Sequence, residues 1–306
     1  MEKVQRGRCA ITGAGGYLGS HLAAYMLREG WDVFRLTGRP KDSARDFRFT
    51  LDDGAPKGFF SEHQIDALVH CAYDFSLTSK EQIFKTNVNG SIKLFRQARE
   101  EGVRRPIFIS TMSAFDACRS LYGKAKLAVE KEVIQMGGSI IRPGLIYGTE
   151  PGGMVGALLK AANSSPLIPL IGNGSYVLNL AHEDDLAALI ASQCDPHART
   201  PEMPIIAADE EGHTFKDILT AFGLAAGRKV RFVPIPWRLI WGGLRLSEAF
   251  SFKLPFRSDS VISLVNQDPA PDFTAKREAG ITFRSFTAYI KDSVSRAHCV
   301  DSPDSV

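Results

Sequence analysis

The amino-acid sequence predicts an α/β fold, in which a doubly wound parallel sheet is accompanied by a smaller C-terminal region that binds substrate. Short β-rich runs alternate with helical patterns through the first half of the chain, which is typical of βαβ units. A glycine-rich turn joins the first predicted strand to the first predicted helix. After about residue 151 this alternation ends, and proline and glycine become frequent.

The predicted elements follow one another in the order that a doubly wound sheet requires. Strands are predicted at residues 8–12, 32–36, 47–51, 67–71, 106–110 and 139–142, and helices at 17–29, about 80–101 and 122–135. We expect a first domain over residues 1–165 with a return of the chain at 177–207, a second domain over 208–298, and a flexible tail over 299–306.

Composition excludes several classes of protein. The chain has 306 residues, of which 44% are hydrophobic, so a sizeable core can be buried. The 37 basic and 34 acidic residues nearly balance, which argues against nucleic acid as the main partner. Five scattered cysteines indicate neither a disulfide framework nor a metal site. No signal peptide or run of 18 apolar residues is visible, so we expect a cytoplasmic protein without a transmembrane segment.

The glycine-rich turn predicts a site for a dinucleotide. A pyrophosphate needs bare backbone N–H groups at the N-terminus of a helix, where the helix dipole also favours an anion. Gly13 permits the tight turn, Gly16 allows the backbone to approach the phosphates, and Gly19 lets the helix pack closely on the strand. Because a strand precedes this turn and a helix follows it, we predict a Rossmann-type domain that binds NAD(P).

The end of the second strand bears on the choice of cofactor. An acidic residue there favours NAD, because it accepts hydrogen bonds from the adenosine ribose. This chain has Thr37, Gly38 and Arg39 instead, and the Arg39 guanidinium is suited to a 2′-phosphate. We therefore predict NADP, with NAD as the alternative. Arg39 as a solvated loop charge is the competing interpretation.

Candidate catalytic residues lie at the end of the fifth strand and the start of the following helix. Tyr122 and Lys126 are four residues apart and share a helix face. A lysine ammonium beside a phenol lowers the pKa of the tyrosine, which can then exchange a proton with a substrate oxygen near neutral pH. Ser110, Thr111 and Ser113 offer hydroxyl groups that can hold that oxygen.

These motifs together resemble the extended short-chain dehydrogenase/reductase superfamily, also described as the NAD-dependent epimerase/dehydratase family. The spacing of the glycines in TGAGGYLGSHL is similar to that of the extended type, and the resemblance covers most of residues 8–190 in the right order. It implies that Thr111, Tyr122 and Lys126 are catalytic. Thr111 is singled out because the catalytic hydroxyl of the family precedes an aromatic residue, here Phe115, by four positions.

The resemblance also implies a set of cofactor contacts. Leu51 and Asp52 correspond to the adenine-binding pair, and Asn87 to a helix residue that is structural or relays a proton. Lys126 would also hold the nicotinamide ribose. The complete set of predicted cofactor-binding residues is Gly13, Gly16, Tyr17, Leu18, Gly19, Arg39, Leu51, Asp52, Cys71, Ala72, Asn87, Lys126 and Pro143.

The implied activity is hydride transfer on a small-molecule substrate, in the first place as a 4-epimerase or keto-reductase of a nucleotide-sugar. Met112 and Ser113 stand where a dehydratase has an Asp-Glu pair, which disfavours dehydration. Leu145 and Leu178 stand where nucleotide-sugar epimerases often have Asn and Arg, although Arg257 could supply a diphosphate contact. The alternatives are an NADP-dependent reductase or dehydrogenase of an unactivated carbonyl or hydroxyl compound, and a non-catalytic NADP-binding subunit.

Residues 232–256 are unusually apolar and aromatic, and include Trp237 and Trp241. We interpret this segment as a helix and loop packed in the second domain or at a dimer face. The alternative is attachment to a membrane surface through the tryptophans and the interleaved arginines. The resemblance also implies a homodimer, formed through the predicted helices at 80–101 and 122–135.

Overall fold

The structure is a computed structural model and describes residues 6–149, 152–164, 167–250, 252, 254 and 256–292. The predicted tail at 299–306 lies outside the described residues. The described chain divides into two compact units. Unit 1 comprises the described residues up to 143, with 183–207 and 268–281, and unit 2 comprises those of 144–182, 208–267 and from 282 onward. The substrate-binding role expected for 208–298 remains a prediction.

In chain order the strands are β1 Arg8–Thr12, β2 Asp32–Thr37, β3 Asp46–Arg48, β4 Ala67–His70, β5 Arg105–Ile109, β6 Ser139–Pro143, β7 Leu145–Tyr147, β8 Leu167–Ile171, β9 Val177–His182, β10 Ile205–Ala207, β11 Gly212–Thr214 and β12 Arg231–Ile235. The helices are α1 Tyr17–Arg28, α2 Phe59–Glu62, α3 Lys80–Gln82, α4 Asn89–Glu100, α5 Leu121–Gln135, α6 Gly153–Ser164, α7 Glu183–Cys194, α8 Phe215–Ala225, α9 Trp237–Ala249, α10 Ser258–Val265 and α11 Thr274–Glu278. A π-helical segment, Ile83–Val88, lies between α3 and α4.

Unit 1 is built on a seven-stranded parallel sheet in the order β10-β6-β5-β4-β1-β2-β3. The predicted doubly wound Rossmann-type sheet is therefore confirmed. The strand order reverses between β1 and β4, and ligands of such sheets bind outside the carboxyl ends of the strands at that point. One apolar core cluster of this unit is rich in large, buried aromatic side chains, namely Phe34, Phe59, Phe60, Phe95 and Phe108.

Two predicted elements of unit 1 differ from the structure. The third strand ends at Arg48 and not at residue 51, because Thr50 enters a turn in which its hydroxyl bonds to Asp53. The helix predicted over about 80–101 contains the π-helical turn 83–88. Isolated π-helical turns inside α-helices are frequent at functional sites.

Unit 2 has two small sheets in place of one large parallel sheet, and its elements are as long as those of unit 1. It contains a three-stranded sheet, β11-β9-β7, and a two-stranded parallel sheet, β12-β8. Its apolar core is centred on Tyr147, Leu158, Phe215, Phe222 and Phe286. Among the described residues, no helix combines the length and the apolar character needed to cross a bilayer.

Candidate active site

The glycine turn brings three backbone segments of unit 1 together. Gly13 has a φ of 68°, and a Cβ built on it would lie 2.9 Å from the amide nitrogen of Ala72. A Cβ on Gly19 would lie 2.3 Å from the carbonyl oxygen of Gly13. Helix α1 begins after Gly16 without a side-chain cap. Because the first amides of a helix lack intrahelical partners, this close-packed turn fits a pyrophosphate.

The start of α1 is tied to the start of α7. The phenol of Tyr17 donates to a carboxylate oxygen of Glu183 at 2.6 Å, and His21 bonds to Asp184 at 2.9 Å. Leu18 beside them is half-buried. These bonds fix the glycine turn from the side of α1 and were not foreseen from the sequence, because the partners are more than 160 positions apart.

The end of β2 has no carboxylate within residues 37–39. Thr37 is buried there, whereas Gly38 and Arg39 are exposed. The glycine turn approaches this strand end closely, since a Cβ on Gly15 would lie 2.8 Å from the Thr37 hydroxyl oxygen. A second arginine, Arg35, donates to the carbonyl oxygen of Ala14 at 3.1 Å. Arg35 also pairs with Asp46 at 3.4 Å, whereas Arg39 is exposed at the strand end where an acidic residue would accept hydrogen bonds from a ribose.

A buried chain of hydrogen bonds crosses the carboxyl ends of β1 and β4. The Ser91 hydroxyl donates to the carbonyl oxygen of Asn87 at 2.6 Å and so accepts from Nε2 of His70 at 2.7 Å. His70 Nδ1 then accepts from the Thr12 hydroxyl at 2.6 Å, which fixes the tautomer. Burial, and secondarily the charge of Lys126, lowers the pKa of His70 to about 3, so the ring is neutral. Asn87 and the neighbouring Cys71 were predicted as cofactor contacts from the sequence, whereas His70 and Ser91 were not.

The remaining predicted cofactor residues have different surroundings. The side chain of Asn87 bonds to both the backbone N–H and the carbonyl oxygen of Asp74, at 2.7 and 3.2 Å, and so orders the loop after β4. Leu51 is buried in the core, and exposed Asp52 accepts from Thr86 at 2.9 Å. Cys71 and Ala72 are half-buried after β4, and Pro143 is buried at the end of β6.

The start of α5 brings the predicted catalytic residues together. Ser120 caps this helix by accepting from the N–H of Gly123 at 3.1 Å. A Cβ on Gly123 would lie 2.2 Å from the carbonyl oxygen of Ser113, so only glycine permits the approach. Tyr122 is thereby placed within hydrogen-bonding distance of the Thr111 hydroxyl.

Lys126 lies one turn beyond Tyr122 and is 4% exposed. Its Nζ donates to the carbonyl oxygen of Ile109 at 2.7 Å and lies 5.9 Å from the centroid of the Tyr122 ring. The ammonium is therefore directed to the end of β5. Burial lowers the pKa of Lys126 to about 8, against the opposing effects of Cys71 and Glu130.

The expectation that Lys126 lowers the pKa of Tyr122 is wrong. Burial raises the pKa of Tyr122 to about 12, and the hydrogen bond with Thr111 opposes that shift only in part. Loss of water around the phenol disfavours the phenolate, while the lysine ammonium is held on the carbonyl of Ile109. At neutral pH the phenol is protonated, which is the form that donates a proton.

A buried ion pair between Glu130 and Arg142 also holds helix α5 in place. Glu130, one turn beyond Lys126, is 1% exposed and receives two hydrogen bonds from Arg142, at 2.9 and 2.6 Å. It also accepts from the hydroxyl of Ser110. Ser110 is thus occupied in the core, and Thr111 is the hydroxyl that bonds to Tyr122. The sequence analysis missed Glu130, although its spacing of four from Lys126 places it on the same buried face.

An aromatic cluster borders the phenol. The rings of Tyr73 and Tyr122 meet edge to face with centroids 5.0 Å apart, and Phe75 lies 5.6 Å from Tyr122. Phe75 is 58% exposed, which is unusual for a phenylalanine. The surface next to the candidate proton donor is therefore apolar and partly open to solvent.

In unit 2, the two positions that depart from the nucleotide-sugar pattern are apolar in their surroundings as well. Leu145 and Leu178 are half-buried and pack against the core of that unit. Arg257 precedes α10, and its Nε is buried with no hydrogen-bond partner among the described residues. Arg257 is thus the residue of unit 2 best suited to an anionic group.

Comparison with known proteins places these features in context. The sequence model of the NAD dependent epimerase/dehydratase family matches residues 9–200. A ceramide reductase of Caulobacter vibrioides is 29% identical over 247 residues, which are 77% of this chain and 76% of that protein. A UDP-glucose 4-epimerase of Halalkalibacterium halodurans is 26% identical over 191 residues, 53% of this chain and 57% of that protein.

Solved structures share the fold. The structure of MoeE5 in complex with UDP-glucose and NAD superimposes with a TM-score of 0.71 at 18% sequence identity, and covers 97% of this chain and 100% of that one. At this level of identity the similarity establishes the architecture alone.

Proposed function

The chain belongs to the NAD dependent epimerase/dehydratase family and is thus an enzyme, and from this premise we propose that it is an NADPH-dependent reductase of a carbonyl group on an apolar, lipid-like substrate. The observation that carries this proposal is the exposed Phe75 ring beside the Tyr122 phenol. An open aromatic surface at the reacting centre favours an apolar substrate, because water is released when the two surfaces meet.

The protonated phenol favours the reductive direction. The bound cofactor would supply a hydride to the carbonyl carbon. Tyr122 donates its proton to the carbonyl oxygen, so that a C–H and an O–H bond form and the C=O π bond breaks. Thr111 positions that oxygen by a hydrogen bond. The pKa of about 12 keeps Tyr122 in the acid form throughout the neutral range.

Unit 2 supports an unactivated substrate. Leu145 and Leu178, where nucleotide-sugar epimerases often have Asn and Arg, are packed against apolar neighbours and carry no hydrogen-bonding side chain. The similarity to a ceramide reductase agrees with this, because a ceramide is a lipid. The same features make an activated sugar the less suitable ligand.

NADP is the proposed form of the cofactor. The residues of the glycine turn suit the pyrophosphate, and residues 37–39 offer no carboxylate to a ribose hydroxyl. Exposed Arg39 would pair with the 2′-phosphate, for which a guanidinium is well suited. Lys126, directed to the end of β5, would hold the nicotinamide ribose.

A nucleotide-sugar 4-epimerase is the second candidate. The unpartnered Nε of Arg257 favours it, because a diphosphate would satisfy that buried donor. Similarity to the UDP-glucose 4-epimerase points the same way. A homodimer through the α4 and α5 region, as the family resemblance implies, belongs to either proposal.

The two candidates differ in whether NADPH is consumed. We would incubate the purified chain with NADPH and tetradecan-2-one in detergent micelles and follow NADPH absorbance. A separate reaction would contain UDP-glucose and the oxidised cofactor, NAD+ or NADP+, and the formation of UDP-galactose would be followed. Oxidation of NADPH by the ketone is expected. Conversion of UDP-glucose without net reduction of the cofactor, and no reaction with the ketone, would overturn the proposal.

A pair of variants tests the aromatic surface. Phe75→Ser should raise the KM for the ketone about tenfold, because about 1.4 kcal/mol of apolar contact is lost, with unchanged affinity for NADPH. Leu224→Ser removes an equally exposed apolar side chain from α8 in unit 2 and should leave both values unchanged.

A further inference from the structure

Helix α9 of unit 2 presents an apolar surface to solvent. Leu239, Leu246 and Phe250, the last directly after the helix, are 67%, 61% and 68% exposed. Leu244 is the one residue of this helix that is buried. Scattered exposed leucines are ordinary, but three large apolar side chains on one short helix are a contiguous feature that calls for a partner.

The three exposed side chains lie along one line. They follow one another at intervals of seven and four residues, which places them on the same face of an α-helix. Gly243 lies on that face between the two leucines, and a Cβ built on it meets no atom within 4 Å. We call Leu239, Gly243, Leu246 and Phe250 the apolar stripe.

The opposite face attaches α9 to its own unit. Leu244 is buried, and Glu248 accepts hydrogen bonds from the backbone N–H and the hydroxyl of Ser258 at 2.7 and 2.8 Å. Ser258 begins α10, so α9 is held in place without use of the apolar stripe.

The charges around the apolar stripe have one sign. Arg238 and Arg245 are exposed and seven residues apart, about 100° from the stripe around the helix. Residues 228–250 contain five basic side chains and a single acidic one, Glu248. That carboxylate is 13% exposed, is held by Ser258 and also pairs with Arg245 at 3.7 Å. The solvent face of α9 is therefore apolar and cationic.

We propose that α9 binds the surface of an anionic phospholipid bilayer, with the apolar stripe at the depth of the acyl chains and Arg238 and Arg245 at the headgroup phosphates. A surface helix of this kind combines a narrow apolar face with arginines beside it. The cations and the apolar stripe are thus satisfied together by one partner.

A second copy of the chain fits this surface less well. Pairing of two α9 helices through the apolar stripe would bring Arg238 and Arg245 of both copies close together, and the single carboxylate of α9, Glu248, is already shared between Arg245 and Ser258. Anionic headgroups supply that compensation. The inference rests on α9 alone and does not depend on the proposed substrate, although a bilayer is where a lipid-like substrate resides.

Gly243 allows the proposal to be tested in both directions. We would measure sedimentation of the full chain with vesicles of phosphatidylcholine containing 30% phosphatidylglycerol. Gly243→Leu should raise the partition coefficient about tenfold, because it adds an apolar side chain to the stripe. Gly243→Glu should lower it about tenfold, because it places a charge in the part of the helix that would enter the bilayer. Both residues favour a helix more than glycine does, so neither variant is expected to unfold α9.

Charge and specificity are tested separately. Arg238→Ser and Arg245→Ser should each weaken binding about fivefold, and pure phosphatidylcholine vesicles should bind less protein. Leu224→Glu, outside α9, is the matched control and should bind as the parent does. Equal binding of the two Gly243 variants, or no binding by the parent, would overturn the proposal. The proposal would also be overturned if sedimentation velocity showed a dimer that the Gly243→Glu substitution dissociates, while vesicles have no effect on the protein. Failure of the ketone assay would leave these results unaffected.

Discussion

Helices α5 and α9 distribute their side chains in opposite ways. Helix α5 buries the charged groups of Lys126 and Glu130, whereas α9 exposes Leu239 and Leu246. Burial of an unpaired charge is expensive, and α5 meets this cost with a carbonyl oxygen, an arginine and a serine hydroxyl. Helix α9 shows no comparable internal compensation for its exposed apolar side chains.

The contrast separates two kinds of functional surface. A reacting centre needs fixed groups in a protected environment, so its polar side chains are enclosed and hydrogen-bonded. A surface that meets a lipid phase needs the reverse, because its apolar groups gain their stabilisation only from the partner. Three tests within α5 show whether its buried groups have the roles assigned to them.

The largest effect is expected for the proton donor. Tyr122→Phe should lower kcat about a thousandfold, because it removes the proton that the carbonyl oxygen receives, while NADPH binding and thermal stability are retained. The matched control is Tyr73→Phe, which changes the neighbouring ring in the same cluster and should keep most of the activity. Equal losses in the two variants would show that Tyr122 packs and does not transfer a proton.

The next effect concerns the buried ion pair. Glu130→Gln should lower the free energy of unfolding by about 3 kcal/mol, because it leaves the Arg142 guanidinium without its carboxylate in a buried site. Glu132→Gln on the same helix breaks the exposed pair with Arg96 and should cost less than about 1 kcal/mol. Denaturant unfolding measures both, and similar values would contradict a specific role for the buried pair.

The smallest effect is a pH dependence. Lys126, with its pKa lowered to about 8, is charged below that pH and neutral above it. The affinity for NADPH should therefore fall severalfold as the pH rises through 8, because an anionic ligand loses its cation. Lys126→Arg keeps the charge and should give a flat profile.

The effect of Lys126 on folding stability changes with pH in the opposite direction to its effect on NADPH affinity. Between pH 8 and the ordinary lysine pKa of 10.5, the unfolded chain binds a proton that the folded chain has lost, so this residue makes folding more favourable as the pH rises. If the weaker affinity for NADPH above pH 8 were accompanied by local unfolding at Lys126, a direct role of the Lys126 charge in binding NADPH would be contradicted.

The sequence predicted the features that depend on neighbours along the chain. The sheet, the glycine turn and the placement of Tyr122 and Lys126 one turn apart on α5 follow from local periodicity and spacing. The Glu130–Arg142 pair and the bonds of α1 to α7 could not be predicted, because they join residues that only the folded chain brings together. The pKa of Tyr122 was misjudged for the same reason, since burial depends on the whole surrounding unit.

The π-helical turn at 83–88 was not predicted and was included in a continuous helix over 80–101. A single turn of this kind is too short for its different period to be read from the sequence. The strands of unit 2 gave weak signals because they do not alternate regularly with helices along the chain, although they are as long as those of unit 1. The roles of the predicted cofactor residues remain predictions.

Helix α5 behaves mechanically as a rod clamped at three points. Gly123 packs against the carbonyl oxygen of Ser113, Lys126 donates a hydrogen bond to the carbonyl oxygen of Ile109, and Glu130 pairs with Arg142. These three contacts span about 10 Å of the helix. Contacts at three points restrict rotation of the helix, so the Tyr122 phenol near its start is held in a fixed position. Changes of substrate range are therefore expected from substitutions at the solvent-exposed ring of Phe75 and in its loop, and directed evolution of this enzyme would gain more there than along α5.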